Sequence, residues 1–299
     1  MPPRIRISLP AQMLELRGER GELVQRCPVS TALNGAGELA GSNCTPRGRH
    51  IVRAKVGAGV TANTVFRGRR PTGEVWSPEL AAEFPGRDWI LTRILWLSGK
   101  EPGRNRLGEV DTMRRYIYIH GSPDSVPMGS PGSIGCVRMR NADIIDLFDR
   151  VPPYAHVDID EFGVECGSWE QLGQAAHGVR ESVFVREQGV PAALEIDGRD
   201  PECRHALARD AVGRPIGTGR LLRDGHVGRL AVLQEWRGKG VGSAMLEHLL
   251  DAAADSGMVQ VVLNSQRDAC GFYRRFGFVA EGPEFIEAGI PHRTMRRTA

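Results

Sequence analysis

The stretch that most restricts the fold lies between residues 216 and 257. Ile216-Gly217-Thr218-Gly219-Arg220-Leu221-Leu222 and His226-Val227-Gly228-Arg229-Leu230-Ala231-Val232-Leu233 read as two strands. The turn Arg237-Gly238-Lys239-Gly240-Val241-Gly242 follows. Val241, Met245, Leu249 and Ala253 then repeat at the 3.6-residue period of a helix that stops at Gly257. Strand, glycine-rich turn and helix stand here in that order. The same order can hold phosphate, because free N–H groups of the first helical turn converge on an anion and the helix dipole adds attraction. By spacing alone the turn is either an anion site or a tight structural turn. It has neither the Gly-Lys-Ser/Thr of a Walker loop nor the GxGxxG spacing of a dinucleotide fold.

The first 120 residues have another rhythm. Gln12-Met13-Leu14-Glu15-Leu16 before Gly18, and His50-Ile51-Val52-Arg53-Ala54 before Gly57, are short strand-like runs, with Gly35-Ala36-Gly37 as a turn cluster. Few helical periods interrupt them, so this half is expected to be mostly β. At 299 residues the chain is long for one core, and two domains of about 150 residues are expected. We place them at 1–162 and 163–299. Val157 to Ile159 is read as the last strand of the first, Glu161-Phe162-Gly163-Val164 as the join, and 170–187 as a helix of the second.

Charge narrows the function. The 39 basic and 36 acidic residues nearly balance, which gives no reason to expect nucleic acid, and Arg67-Gly68-Arg69-Arg70 reads as solvated surface. No apolar run approaches the ~20 residues of a membrane helix, so no membrane association is expected. The six cysteines show no CxxC or zinc spacing and are sparse for a disulfide scaffold, so no metal is expected. Met1 to Pro10 carries charge but lacks the apolar core of a signal peptide, and the expected location is cytoplasmic. The polar loop Gly99 to Arg106 reads as solvated, with its cations as an alternative receiver of peptide carboxylates.

An imidazole and a thiol stand on two loops sixteen positions apart. His120-Gly121 ends the strand-like run Tyr116-Ile117-Tyr118-Ile119. Gly132-Ser133-Ile134-Gly135-Cys136-Val137-Arg138-Met139-Arg140-Asn141 places Cys136 just before a helix that Asn141 is expected to cap, with Ile144, Ile145 and Phe148 as its apolar face. A nearby imidazole raises the thiolate fraction that attacks carbonyls, and glycines at 132 and 135 let N–H groups approach an oxyanion. Taken alone, a cysteine is more often a small buried hydrophobe.

These residues resemble the active-site signature of the L,D-transpeptidase (YkuD-type) family: His120-Gly121, a spacer, then Ser133-x-Gly135-Cys136-Val137-Arg138-Met139. Thr45-Pro46-Arg47-Gly48 and Trp89 to Leu97 look like that family too, and the match covers about residues 4 to 160. The resemblance implies Cys136 as nucleophile, His120 as its base and the Gly121 carbonyl as orienter of the imidazole. It also implies Arg138 as a group that holds the site or a substrate carboxylate, Ser133 and Gly135 as substrate contacts, and no cofactor for this half. The family commonly has Ser-His-Gly-Cys, and Ile134 stands here where that histidine would be.

Arg237-x-x-Gly240-x-Gly242 after Leu230-Ala231-Val232 is similar to the acetyl-CoA pyrophosphate loop of GNAT acetyltransferases. Leu263-Asn264-Ser265-Gln266 and Ala269 to Phe278 match the later part of that family over about 165 to 299. Glu187-Gln188-Gly189-Val190-Pro191 and Glu287-Ala288-Gly289-Ile290-Pro291-His292 resemble its ElaA-type branch. The resemblance implies acetyl-CoA as cofactor, with Val232 offering backbone groups and Arg237, Gly238, Lys239, Gly240, Val241, Gly242 and Ser243 cradling the pyrophosphate. Asn264 joins the cofactor site and Tyr273 protonates the departing thiolate. Glu195, Asp197 and His292 are candidate bases, with a water as the alternative.

The two resemblances together imply a bifunctional enzyme with a mostly-β L,D-transpeptidase-type domain and an α/β GNAT domain. Its expected partners are peptidoglycan-derived peptides, acetyl-CoA and an amine acceptor not named by the sequence. Trimming of terminal D-alanine during wall recycling is the expected reaction of the first half. The alternative is an acetyltransferase of small amines whose first domain binds wall peptides without catalysis.

Overall fold

The computed structural model describes residues 3–298, which divide into two compact units with the break between Glu161 and Phe162. The first unit is built on a ten-stranded mixed sheet. Its strands are β1 (Arg4–Ser8), β2 (Met13–Arg17), β3 (Leu23–Pro28), β4 (Gly48–Val56), β5 (Thr64–Arg67), β6 (Arg70–Val75), β7 (Ile90–Gly99), β8 (Tyr118–Gly121), β9 (Val137–Met139) and β10 (His156–Asp160). Two helices interrupt it, α1 (Pro78–Glu83) and α2 (Asn141–Arg150). Alternation along the strands sends Ile5, Ile7, Leu14, Leu16, Leu95, Leu97, Ile119, Val137 and Val157 to one buried core. There they meet Ile144, Leu147 and Phe148 of α2. Each such side chain contributes roughly 1.5–3 kcal/mol.

Two local features of the first unit differ from the expectation. Cys136 precedes strand β9 rather than a helix, because Val137 and Met139 are fully buried and pair in parallel with β8. Asn141 is the first residue of α2 and not its cap; Arg140 holds the cap position without a side-chain hydrogen bond. The strand that carries His120 starts at Tyr118, since Tyr116 has a left-handed backbone (φ 57°) and is 54% exposed.

The second unit has two antiparallel sheets. One runs in the order β11 (Phe162–Gly167), β12 (Arg204–Asp210), β13 (Pro215–Leu221), β14 (Val227–Val232). The other runs β15 (Gln260–Gln266), β17 (Ile290–Thr298), β16 (Val279–Glu287). Helix α3 (Trp169–Arg180) passes into a π-helical segment, Glu181–Glu187, and the short α4 (Ala192–Glu195) follows. Helix α5 (Val241–Asp255) leaves the glycine turn, and α6 (Cys270–Arg274) follows β15. Ala206 and Ala208 pack toward α5 whereas Leu207 packs against α3, so strand alternation puts the two helices on opposite faces. Phe162, read as part of a join, is instead a buried residue of β11, paired with Asp210.

Candidate active sites

In the first unit, the parallel register of β8 and β9 sets Ile119 opposite Val137 and His120 opposite Arg138. Ile119 and Val137 face the core. Tyr118, His120 and Arg138 therefore share the other face of the sheet, and Cys136 enters that face one position before β9. The thiol accepts the Tyr118 N–H (3.4 Å) and donates to the Tyr116 carbonyl (3.5 Å). His120 Nδ1 bonds the Gly121 carbonyl at 2.8 Å. A carbonyl only accepts, so Nδ1 carries the proton and Nε2 is left as the lone-pair nitrogen. Nε2 is buried and has no hydrogen-bond partner among the described residues.

The frame behind the imidazole is tight. An added Cβ on Gly121 would come within 2.5 Å of Asn141 Oδ1 and 2.8 Å of the Leu91 carbonyl. Asn141 accepts from the Thr92 hydroxyl (2.5 Å) and donates to the Ser122 carbonyl (3.1 Å) and Asn63 Oδ1 (2.8 Å). Its place at the helix start thus ties three segments to the end of β8, a role that the expected cap did not anticipate.

The loop before the thiol is braced from within. The Ser133 hydroxyl donates to the Cys136 carbonyl (2.5 Å) and accepts from the Gly135 N–H (3.2 Å), while Thr45 Oγ1 donates to the Gly135 carbonyl (3.0 Å). Gly135 has φ 133°, which side-chain-bearing residues rarely adopt. Ser133 is buried, and both of its hydroxyl hydrogen bonds brace the loop. Arg138 is engaged by Asp88 Oδ1 (2.6 Å) and the Gly132 carbonyl (2.9 Å). Asp88, absent from the sequence reading, lies fifty positions away and no local pattern announces it. Ile134 is 59% exposed. In the loop at 99–106, Arg104 pairs with Glu101, which also takes the Arg49 N–H.

Burial governs the titration of the pair. It pushes the Cys136 thiol up to about 12, with the Tyr118 N–H and the cations Arg138 and Arg115 acting the other way. Burial also lowers His120 below the usual imidazole value. Both groups are neutral at pH 7.

In the second unit, β14 and β15 belong to different sheets, and among the described residues the one bridge between them is the isolated parallel pair of His226, just before β14, and Val262 of β15. Beyond it lies a cavity of about 780 Å³, lined by both strands, by the π segment and by α6. A bulge in β14 helps to open it: Arg229 and Leu230 oppose the single Gly219 of β13, and Arg229 has φ 52°. Val232, Arg237, Gly242, Asn264 and Tyr273 line the cavity, and the remaining turn residues Gly238, Lys239, Gly240 and Ser243 stand outside its lining. Gly238 (φ 75°) and Gly240 (φ 89°) supply the left-handed backbone that turns the chain into α5.

Three expected contacts differ in detail. The Val241 side chain is buried in the core beneath α5, which leaves only its N–H for an anion. The Lys239 ammonium lies over the Trp236 ring at 4.6 Å. The Arg237 guanidinium is held bidentate by Glu187 (2.6 and 2.7 Å), and its Nε donates to the Val232 carbonyl (3.0 Å). Arg237 therefore fixes the turn to the π segment through its side chain.

Of the candidate bases, Asp197 is held well below the usual carboxylate range, first by hydrogen bonds from Arg220. Glu195 is buried against Arg180. His292 faces the cavity with Nδ1 donating to the Ile290 carbonyl (2.8 Å), which leaves Nε2 as the ring nitrogen not engaged by that carbonyl. Asn264 accepts from Thr294 Oγ1 (3.2 Å) and contacts Glu287 (3.5 Å). Burial pushes the Tyr273 hydroxyl up to about 12, so it stays protonated at neutral pH. Among the described residues no group of three or more His, Cys, Asp or Glu side chains is placed to hold a metal, and no helix is long and apolar enough to cross a membrane.

Fold and sites together describe a two-part molecule: a β-sheet unit with a thiol and an imidazole on one sheet face, and an α/β unit with a cleft where two strands separate. The chain belongs to the L,D-transpeptidase catalytic domain family through residues 2–159 and to the acetyltransferase (GNAT) domain family through residues 173–299. It is similar to the uncharacterized N-acetyltransferase YjcF of Bacillus subtilis, 42% identical over 132 residues that cover 43% of this chain and 93% of that protein. Among solved structures it is similar to an acyl-CoA N-acyltransferase from Pseudomonas aeruginosa (31% identity, TM-score 0.42, 46% of this chain and 99% of that one). Escherichia coli ElaA is another (28% identity, TM-score 0.42, 45% and 99%). The GNAT fold implies use of acetyl-CoA or another acyl-CoA.

Proposed function

We propose that the first unit is a cysteine-dependent L,D-carboxypeptidase of peptidoglycan peptides and that the second acetylates an amine from acetyl-CoA. The observation that carries the first reading is the imidazole whose Nδ1 is tied to the Gly121 carbonyl while its buried Nε2 has no partner among the described residues. It stands on the sheet face that carries the thiol. In this reading Sγ attacks the amide carbonyl after an L-centre and its proton passes to Nε2. N–H groups of the 132–136 loop stabilise the oxyanion, and the imidazolium gives its proton to the departing amine. Water then releases the acyl group. Terminal D-alanine is the leaving residue of a tetrapeptide, and recycling of wall fragments is the context.

Incubation of the full chain with a disaccharide tetrapeptide, followed by mass spectrometry, tests this. Loss of one D-alanine, abolished in Cys136→Ala, is expected; intact substrate with folded protein refutes it. Recovery of the protein from the exported fraction of its cells would refute recycling.

For the second unit, the cavity at the separated strands supports binding of the pantetheine arm along β14, with the N–H groups of the 237–243 turn toward the pyrophosphate. Acetyl-CoA, when bound, supplies an activated thioester carbonyl. His292 Nε2 takes the amine proton and the Tyr273 hydroxyl holds the proton destined for the thiolate sulfur.

The high thiol pKa favours one competing reading, in which the first unit binds wall peptides without catalysis and the chain is chiefly an acetyltransferase of small amines. CoA release with simple amines, undiminished in Cys136→Ala and accompanied by an intact tetrapeptide, would establish it.

A further inference from the structure

We propose that Arg69 binds the terminal carboxylate of the residue released by Cys136, an inference that rests on the carboxypeptidase reading of the first unit. Gly68 and Arg69 form the two-residue turn between β5 and β6, both with positive φ (56° and 66°). Glycine suits such a position, whereas an arginine there is disfavoured unless its side chain gains something elsewhere.

The side chain does not extend into solvent as the basic run suggested. Its guanidinium lies 4.4 Å over the Trp96 ring and 5.1 Å over the Tyr116 ring, and Nη1 donates to the Tyr118 hydroxyl (3.1 Å). Trp96 stacks on Tyr116 at 6.2 Å and meets Tyr118 edge-on at 6.1 Å, so the three rings form a floor for the cation.

That floor is continuous with the thiol. Tyr118 gives its N–H to Sγ, and the Tyr116 carbonyl accepts from Sγ. Sulfur and guanidinium are therefore separated by the length of one tyrosine. A carbonyl at attack distance from the sulfur (about 3.5 Å), one further residue of chain (about 3.5 Å) and a charge-assisted hydrogen bond (about 3 Å) together reach about 10 Å, which is enough to span one tyrosine.

The other cations near the thiol are engaged. Arg138 is bound by Asp88 and the Gly132 carbonyl, and Arg115 by the carbonyls of Gly37, Glu38 and Cys44. Arg69 has one hydrogen bond and no carboxylate partner among the described residues. Four of its five N–H groups remain for a planar, bidentate acceptor, and stacking on rings holds that fork in place.

The test is calorimetric titration of the full chain, in the Cys136→Ala background, with a tetrapeptide ending in D-alanine and with its C-terminal carboxamide. At least tenfold tighter binding of the free acid is expected. Arg69→Gln should erase that preference and Arg69→Lys should keep part of it, with circular dichroism confirming the fold of each. An acid preference that survives in Arg69→Gln, equal binding of acid and carboxamide, or binding of neither overturns the proposal. Turnover by the unsubstituted chain is followed separately: carboxylate binding through Arg69 without cleavage would sink the carboxypeptidase reading and leave only the carboxylate contact at Arg69, whereas equal cleavage of acid and carboxamide would sink the role of Arg69 and leave the carboxypeptidase reading.

Discussion

The resting state of the thiol can be tested directly by alkylation. An ordinary cysteine titrates near 9, and burial moves Cys136 to about 12. At pH 7 its thiolate fraction is then about a thousandfold below that of a free thiol, and only the thiolate reacts with iodoacetamide. His120 is depressed by the same burial and is also neutral, so no thiolate–imidazolium pair preexists and proton transfer waits for substrate. The assay follows the Cys136 peptide by mass spectrometry against N-acetylcysteine from pH 6 to 10. The expected rate is roughly a thousandfold slower than the reference at pH 7 and climbs about tenfold per pH unit without a plateau. His120→Ala should leave it unchanged within a few-fold. A plateau below pH 8, or labelling that slows more than tenfold in His120→Ala, would mean a resting ion pair and would refute the reasoning.

Three further outcomes follow from the same geometry. His120 acts as base only when neutral, and its proton leaves below the usual ~6.5, so kcat/KM on a wall tetrapeptide should hold from pH 6.5 upward and fall only below it; an acid limb above pH 7 would contradict this. Asn141→Ala leaves the buried Thr92 hydroxyl and Ser122 carbonyl short of a partner, at roughly 1–3 kcal/mol each. Urea unfolding of the first unit should register a loss of about 2–6 kcal/mol, and a loss below about 1 kcal/mol would argue against the bracing role. Tyr273→Phe keeps the ring in the cavity and removes the proton donor; kcat for acetyl transfer should drop roughly 100-fold with acetyl-CoA KM little changed, and an unchanged kcat would remove Tyr273 from the acid role.

What the sequence disclosed and what it hid follow from chain distance. His120-Gly121 is legible because the imidazole and the carbonyl that orients it are adjacent residues. The turn at 237–242 is legible because glycine at positive φ and the start of α5 are local events. Asn141 was misjudged through a one-residue shift of the helix start: a cap residue turns its side chain back on the first N–H groups, whereas the first helical residue can turn it outward to Thr92, Asn63 and Ser122. Arg69 was misjudged for a different reason. A basic run scores as solvated surface whatever lies beside it, and the rings that receive this guanidinium come from positions 96, 116 and 118, which only the pairing of β5, β7 and β8 brings together. The cleft of the second unit depends likewise on a pairing that fails to form. β14 and β15 are each good strands, and the separation past His226 arises because β15 takes β17 as its partner and a bulge at Arg229 bends β14 away. Both candidate sites therefore rest on how strands are paired or left unpaired, which is the property that a one-dimensional pattern carries least.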